Sequence, residues 1–299
     1  MIPPRAILAA VDFSESSRVA LSFAARLAKQ CHAALHVLHA ENPLLVAAAK
    51  STGIDLNRET REELARFAST TVPAGDWTPG HHHIVTGDAT SVICHIASRE
   101  QVDLIVVGMH GMSGATRAMF GSTTEGVLRQ AAISVLVVPD SWTPPRPDTD
   151  DLSGMGPVVA AIECTCTAVA GAAAACRLAE ALGTSVSAIH VVPELPVIER
   201  WRGHAEAAVT EREAQERREL ETALAAVKTT LHVTLRVETG QVAERLAAAA
   251  AEVPGQHPIL VLGRHAQGSR RGAPGATAYR VLTLARVPVL VHCLPETLA

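Results

Sequence analysis

Short apolar runs alternate with longer amphipathic stretches through most of this chain. Runs near 5–12, 34–40, 81–86, 103–108 and 134–138 read as buried strands; the intervening 16–30, 57–70, 89–100 and 122–131 read as helices. In the first helix, Val19, Phe23 and Leu27 form one apolar stripe. Strand–helix alternation with right-handed crossovers predicts a parallel, doubly wound α/β sheet, although alternation alone leaves the strand order open. The second half alternates likewise, except that 197–228 is rich in Glu, Arg and Ala. That stretch predicts one long helix, or a helix broken around Gly203.

The two halves are copies. Val11-Asp12 matches Ile162-Glu163, and Leu38-His39-Ala40 matches Ile189-His190-Val191. Thr86-Gly87 matches Thr239-Gly240, Leu104 to Gly108 matches Ile259 to Gly263, and Val135-Leu136-Val137 matches Val289-Leu290-Val291. Preserved order and near-constant offset indicate tandem duplication. Domain 1 is read as 1–140 and domain 2 as 157–299. The proline-rich, acidic segment 141–156 is read as a linker.

Composition narrows the class. Hydrophobic residues make up 48% of 299 and aromatics 3%, so the core is built from Ala, Val and Leu, as suits parallel strands covered by helices. A net charge of −4 gives no general attraction to nucleic acid, and no partner of that kind is expected. The six cysteines lack disulfide-framework or zinc-ribbon spacing; Cys164 and Cys166 are the only close pair. With no signal-peptide design and no long uninterrupted apolar run, the expectation is a cytoplasmic protein without a membrane partner.

The chemistry concentrates in Gly108 to Thr123, where Gly108, Gly111 and Gly121-Ser122-Thr123 follow the pattern Gly-x2-Gly-x9-Gly-Ser-Thr between a strand and a helix. Glycine allows close backbone approach, and the first helical turn presents unpaired N–H groups to an anion. Taken alone, the glycines can also serve tight turns, and Asp12 at the end of the first strand can cap a helix. With Asp12, the following serine-rich helix start and the closing Val135 to Pro139, this pattern resembles the universal stress protein family, chiefly over residues 4–139.

The resemblance implies two flavodoxin-like (adenine nucleotide alpha hydrolase-like) domains with five-stranded parallel sheets in the order 3-2-1-4-5, joined through their final strands. It also implies ATP as cofactor, with magnesium an optional companion. Asp12 would lie at the adenine–ribose end, and the Ala40 backbone would read the adenine edge. Gly108 and Gly111 would line the ribose and first phosphates; Gly121, Ser122 and Thr123 would hold the distal phosphates. Gly87 would lie near the nucleoside without a firm role. The partners implied are ATP or another adenine nucleotide, an unidentified regulatory protein and further copies of the chain as a homo-oligomer.

No Gly-x4-Gly-Lys-Ser/Thr sequence occurs, and Arg117 is the loop's strong cation. No general base or acidic pair for activating water stands out, so no catalytic residue is assigned and fast hydrolysis is not expected. A stress-response regulator that holds ATP is the main reading. The alternatives are a nucleotide-independent interaction module and a slow ATP hydrolase or adenylating enzyme.

In the second copy, Glu163 replaces Asp12, Ala266 replaces the second glycine and Ala276 stands where Ser122 stood. Together these predict a degenerate site, unless Arg264, Arg270 and Arg271 compensate. His81-His82-His83 reads as a strand start or exposed edge, because alternation sends His82 to the opposite face. No metal site is assigned. His39 and His190 recur in both copies, which predicts a shared packing or hydrogen-bonding role. The charged stretch from Arg200 to Glu221 is expected to be a solvated surface.

Overall fold

The structure, a computed structural model, describes residues 3–73, 81–111, 121–143, 155–165, 168–194, 202–253, 257–264 and 275–293. The chain divides into two compact units, 1–152 and 153–299.

In the first unit the elements are β1 (Ala6–Ala10), α1 (Glu15–Cys31), β2 (Ala34–Glu41), α2 (Pro43–Ser51), α3 (Leu56–Thr71), β3 (His82–Thr86), α4 (Ala89–Arg99), β4 (Leu104–Gly108), α5 (Ser122–Gln130) and β5 (Ser134–Val138). Its sheet order is β3-β2-β1-β4-β5, and each adjacent pair is parallel. Every residue of β4 and β5 is buried, which is why these strands read as continuous apolar runs rather than alternating ones.

Helix α1 begins at Ser14, whose side chain accepts from the Ser17 N–H, and ends where His32 turns left-handed at φ 52°. Its stripe of Ala20, Phe23, Ala24 and Leu27 is buried, and Trp142 meets the Phe23 ring edge-on at 5.2 Å. Trp142, which the sequence reading places in the linker, is therefore core of the first unit. Helix α2 was not anticipated by the sequence reading. Asn42 caps it and Pro43 opens it, but it buries none of its residues, so it has no amphipathic period to betray it.

The second unit repeats the plan with β6 (Val158–Ala161), α6 (Ala168–Leu182), β7 (Val186–Pro193), α7 (Arg202–Ala225), β8 (Val233–Gly240), α8 (Val242–Glu252), β9 (Ile259–Arg264), α9 (Ala276–Leu284) and β10 (Val289–Cys293). Its order is β8-β7-β6-β9-β10, again parallel. Helix α7 runs unbroken through Gly203, where the first unit has the separate α2 and α3.

Candidate functional site

In the first sheet, strand order reverses between β1 and β4, and at such a switch point the helices diverge to leave a crevice beyond the strand C-termini. The crevice here has a volume of about 400 Å³. Asp12, Ala40, Gly108, Gly111, Gly121, Ser122 and Thr123 all line it. Gly87 does not; its N–H donates to the Glu41 carbonyl, and an added Cβ would meet Val92 at 2.8 Å, so it serves a turn. The interior of the loop, 112–120 with Arg117, lies outside the described residues.

Asp12 sits just beyond β1. Its Oδ1 accepts from the Ser14 N–H and hydroxyl at 3.1 and 2.5 Å, which ties the carboxylate to the capping residue of α1. Its Oδ2 faces Gly111, where an added Cβ would stand 2.8 Å away. The sequence-based expectation that Asp12 and the glycine loop are neighbours therefore holds in space. Phe13, at φ 68°, occupies a conformation unfavourable for a bulky residue. It is clamped between His39, stacked at 4.4 Å, and Phe67, edge-on at 5.6 Å.

Gly108 and Gly121 have different causes. A Cβ on Gly108 would collide with Ser16 of α1, so close helix–strand packing alone demands glycine there. Gly121 is the N-cap of α5, and no side chain caps that terminus. The N–H groups of the first turn at Ser122 and Thr123 thus border the crevice at the positive end of the helix dipole. The buried Thr124 hydroxyl donates to the Gly108 carbonyl at 2.8 Å and joins the two ends of the loop.

The sequence reading missed a polar network on the same rim. Asp140 accepts from the Ser16 hydroxyl at 2.6 Å and pairs with His110 Nδ1 at 2.7 Å; the His110 N–H donates to Ser16 Oγ. His110 lies inside the glycine motif and Asp140 just past β5, so their places at strand C-terminal ends were the available signal. Ser17 and Asn42 line the crevice as well.

The model of the universal stress protein family matches residues 4–139 and again 155–292. The chain belongs to the universal stress protein family. A Universal stress protein A homolog 1 from Coxiella burnetii is 33% identical over 136 residues, covering 44% of this chain and 94% of that protein. Two solved structures share the tandem fold at 19% identity. A functionally unknown Pseudomonas aeruginosa protein has a TM-score of 0.63, covering 99% of this chain and 94% of that one; a universal stress protein from Archaeoglobus fulgidus has 0.61, covering 98% and 99%. Among the described residues no helix is long and apolar enough to cross a membrane.

The corresponding pocket of the second universal stress domain, about 330 Å³, has different chemistry. Glu163, Cys164, His190, Arg212, Glu216, Gly263 and Thr277 line it. Ala266, Arg270 and Arg271 lie outside the described residues, as does Cys166. His190 Nδ1 meets the Ile162 carbonyl at 2.9 Å, as His39 Nδ1 meets the Val11 carbonyl at 2.9 Å, which is the shared role that their recurrence predicts. Only the second copy adds Glu216 of α7, whose Oε2 lies 2.7 Å from His190 Nε2. Burial pushes the Glu216 carboxyl up, but hydrogen bonds from Arg212 and His190 outweigh this and hold it below its ordinary range.

Helix α7, expected as a solvated surface, thus delivers one charged face into the pocket. Cys164 donates to Glu219, and burial together with that carboxylate pushes its thiol up to about 11. At neutral pH it is a protonated thiol, not a nucleophile.

Proposed function

We propose that the first domain holds ATP and that the protein is a cytoplasmic stress-response regulator whose nucleotide biases its association with further copies or with a regulatory protein. The observation that carries this reading is the convergence of Asp12, Ala40, Gly111, Gly121, Ser122 and Thr123 on one crevice at the switch point. A carboxylate accepts from ribose hydroxyls at one side, and uncapped helix N–H groups with two hydroxyls suit phosphate at the other. Magnesium, where present, would accompany the phosphates as counter-charge. No catalytic residue is assigned; ATP acts as a bound ligand.

The second domain is proposed to bind no ATP, because Glu216 of α7, held by Arg212 and His190, enters its pocket, Glu163 is one methylene longer than Asp12, and Ala276 lacks the hydroxyl of Ser122. In that domain the interaction-module reading fits better.

The test is denaturation of the purified protein, mass spectrometry of the released small molecules and calorimetry with ATP. About one ATP per chain is expected, with weaker binding for Ser122→Ala. No released nucleotide together with no heat of ATP binding would overturn the proposal.

A further inference from the structure

The His81-His82-His83 tract, which in sequence looks like a metal tract but reads as a strand start or exposed edge, acquires partners in the fold. His83 on β3 lies beside His36 on the neighbouring β2, with His83 Nε2 3.1 Å from His36 Nδ1. Glu100, just past the C-terminus of α4, brings its Oε1 to 4.0 Å from His83 Nδ1. One donor atom each from His36, His83 and Glu100 lie within 4.8 Å of one another. His81 stacks on His36 at 4.9 Å and is exposed, whereas His36 is buried.

From this cluster we infer a zinc site held by His36, His83 and Glu100, with water or His81 completing the coordination. Two imidazole nitrogens, borderline donors, beside one carboxylate suit zinc rather than magnesium or calcium, which take oxygen shells. Tetrahedral zinc with Zn–N bonds of about 2.0–2.1 Å separates its ligand atoms by roughly 3.3 Å. The 3.1 Å between His36 Nδ1 and His83 Nε2 is close to that spacing. Burial, the leading influence on both imidazoles, pushes them below their ordinary range and leaves them neutral, as ligation requires.

The hydrogen bonds specify what must change on binding. Arg99 Nη2 lies 3.3 Å from His83 Nδ1, and a guanidinium only donates, so Nδ1 is the acceptor and the His83 proton resides on Nε2. That proton points at His36 Nδ1, the acceptor of the pair. Zinc takes its place between the two rings, and the proton moves to His83 Nδ1. Arg99 must then withdraw from both His83 and Glu100, to which it is paired at 2.8 Å. Arg99 is a competing cation at the site. His82, between His81 and His83, takes no part: alternation along β3 sends its side chain to the opposite face of the sheet.

These residues sit at the start of β2 and β3, away from the crevice at the strand C-termini, so the inference does not rest on nucleotide binding. Zinc would fasten the edge strand β3 to β2 and to the end of α4.

The test is calorimetric titration of ZnCl2 into the full chain, freed of metal by chelation and without nucleotide, with X-ray absorption on the zinc-loaded protein. One equivalent is expected in a nitrogen/oxygen shell near about 2.0 Å, with no response to MgCl2. His83→Gln and Glu100→Gln should each weaken binding at least tenfold, His82→Gln should leave it unchanged, and Arg99→Ala should tighten it severalfold. Absence of zinc binding, a sulfur shell near about 2.3 Å, or affinity untouched by His83→Gln and Glu100→Gln would overturn the inference.

Discussion

A Cβ added to Gly108 would stop 2.8 Å from the Ser16 carbonyl oxygen, in backbone that has no room to give way. Gly108→Ala is therefore expected to destabilise the first domain by about 1–3 kcal/mol, read by chemical denaturation. Gly111 is different: its Cβ would meet the Asp12 carboxylate on the crevice wall. Gly111→Val should lower ATP affinity at least tenfold in calorimetry while moving the denaturation midpoint less than Gly108→Ala does. In the second domain, burial drives the His292 imidazole down to about 4. An unfolded imidazole takes up its proton near 6.5, so the unfolded chain binds more protons between these values. The stability contributed above pH 6.5 is lost as pH falls toward about 4, on the order of 3 kcal/mol in all. His292→Gln should flatten that part of the stability–pH curve, and an unchanged slope would refute the assignment.

Helices α4 and α5 approach through Gly126, where an added Cβ would press into the Thr90 side chain, 2.9 Å from its Cγ2. Gly to Ala inside a helix ordinarily stabilises by about 0.5–1 kcal/mol. Here Gly126→Ala should instead destabilise by about 1–3 kcal/mol. Thr90→Ala should recover part of the loss in the double variant, measurable as a coupling energy in a denaturation cycle. Element by element, the helices α1, α3, α4 and α5 were legible because each buries a face and so carries a period, and the strands because they are short apolar runs between those helices. Helix α2 was not, for it buries no residue and leaves Leu44 and Leu45 exposed. Nor was the role of α7: its alternating charges look alike from solvent, and only packing against the pocket singles out Arg212 and Glu216.

The two domains share a sheet order and the histidine-to-carbonyl bond beyond the first strand, yet different charged groups line their pockets: Asp12 in the first, Glu163, Arg212 and Glu216 in the second. Reverting Glu163→Asp and Ala276→Ser should not create a second ATP site, since Glu216 still occupies that pocket; calorimetric stoichiometry should stay at one. A ligand bound at one hundred times its dissociation constant stabilises the native state by about 2.7 kcal/mol. Saturating ATP should accordingly slow hydrogen exchange in the first domain and leave the second largely unaffected.

Periodicity, repetition and the glycine spacing are local in the chain, and they determined the α/β class, the duplication and the loop that carries the family resemblance, while the place of Ala40 in the first crevice came with that resemblance. Strand order needed the family resemblance, because alternation constrains only the crossovers. What tertiary structure alone decided are meetings between residues remote in sequence: Asp140 with Ser16 and His110, Glu216 with His190, and His36 with His83 and Glu100. No local pattern announces such pairs. Sheet register and helix packing bring them within hydrogen-bonding reach, and charge and burial then set what each cluster can bind.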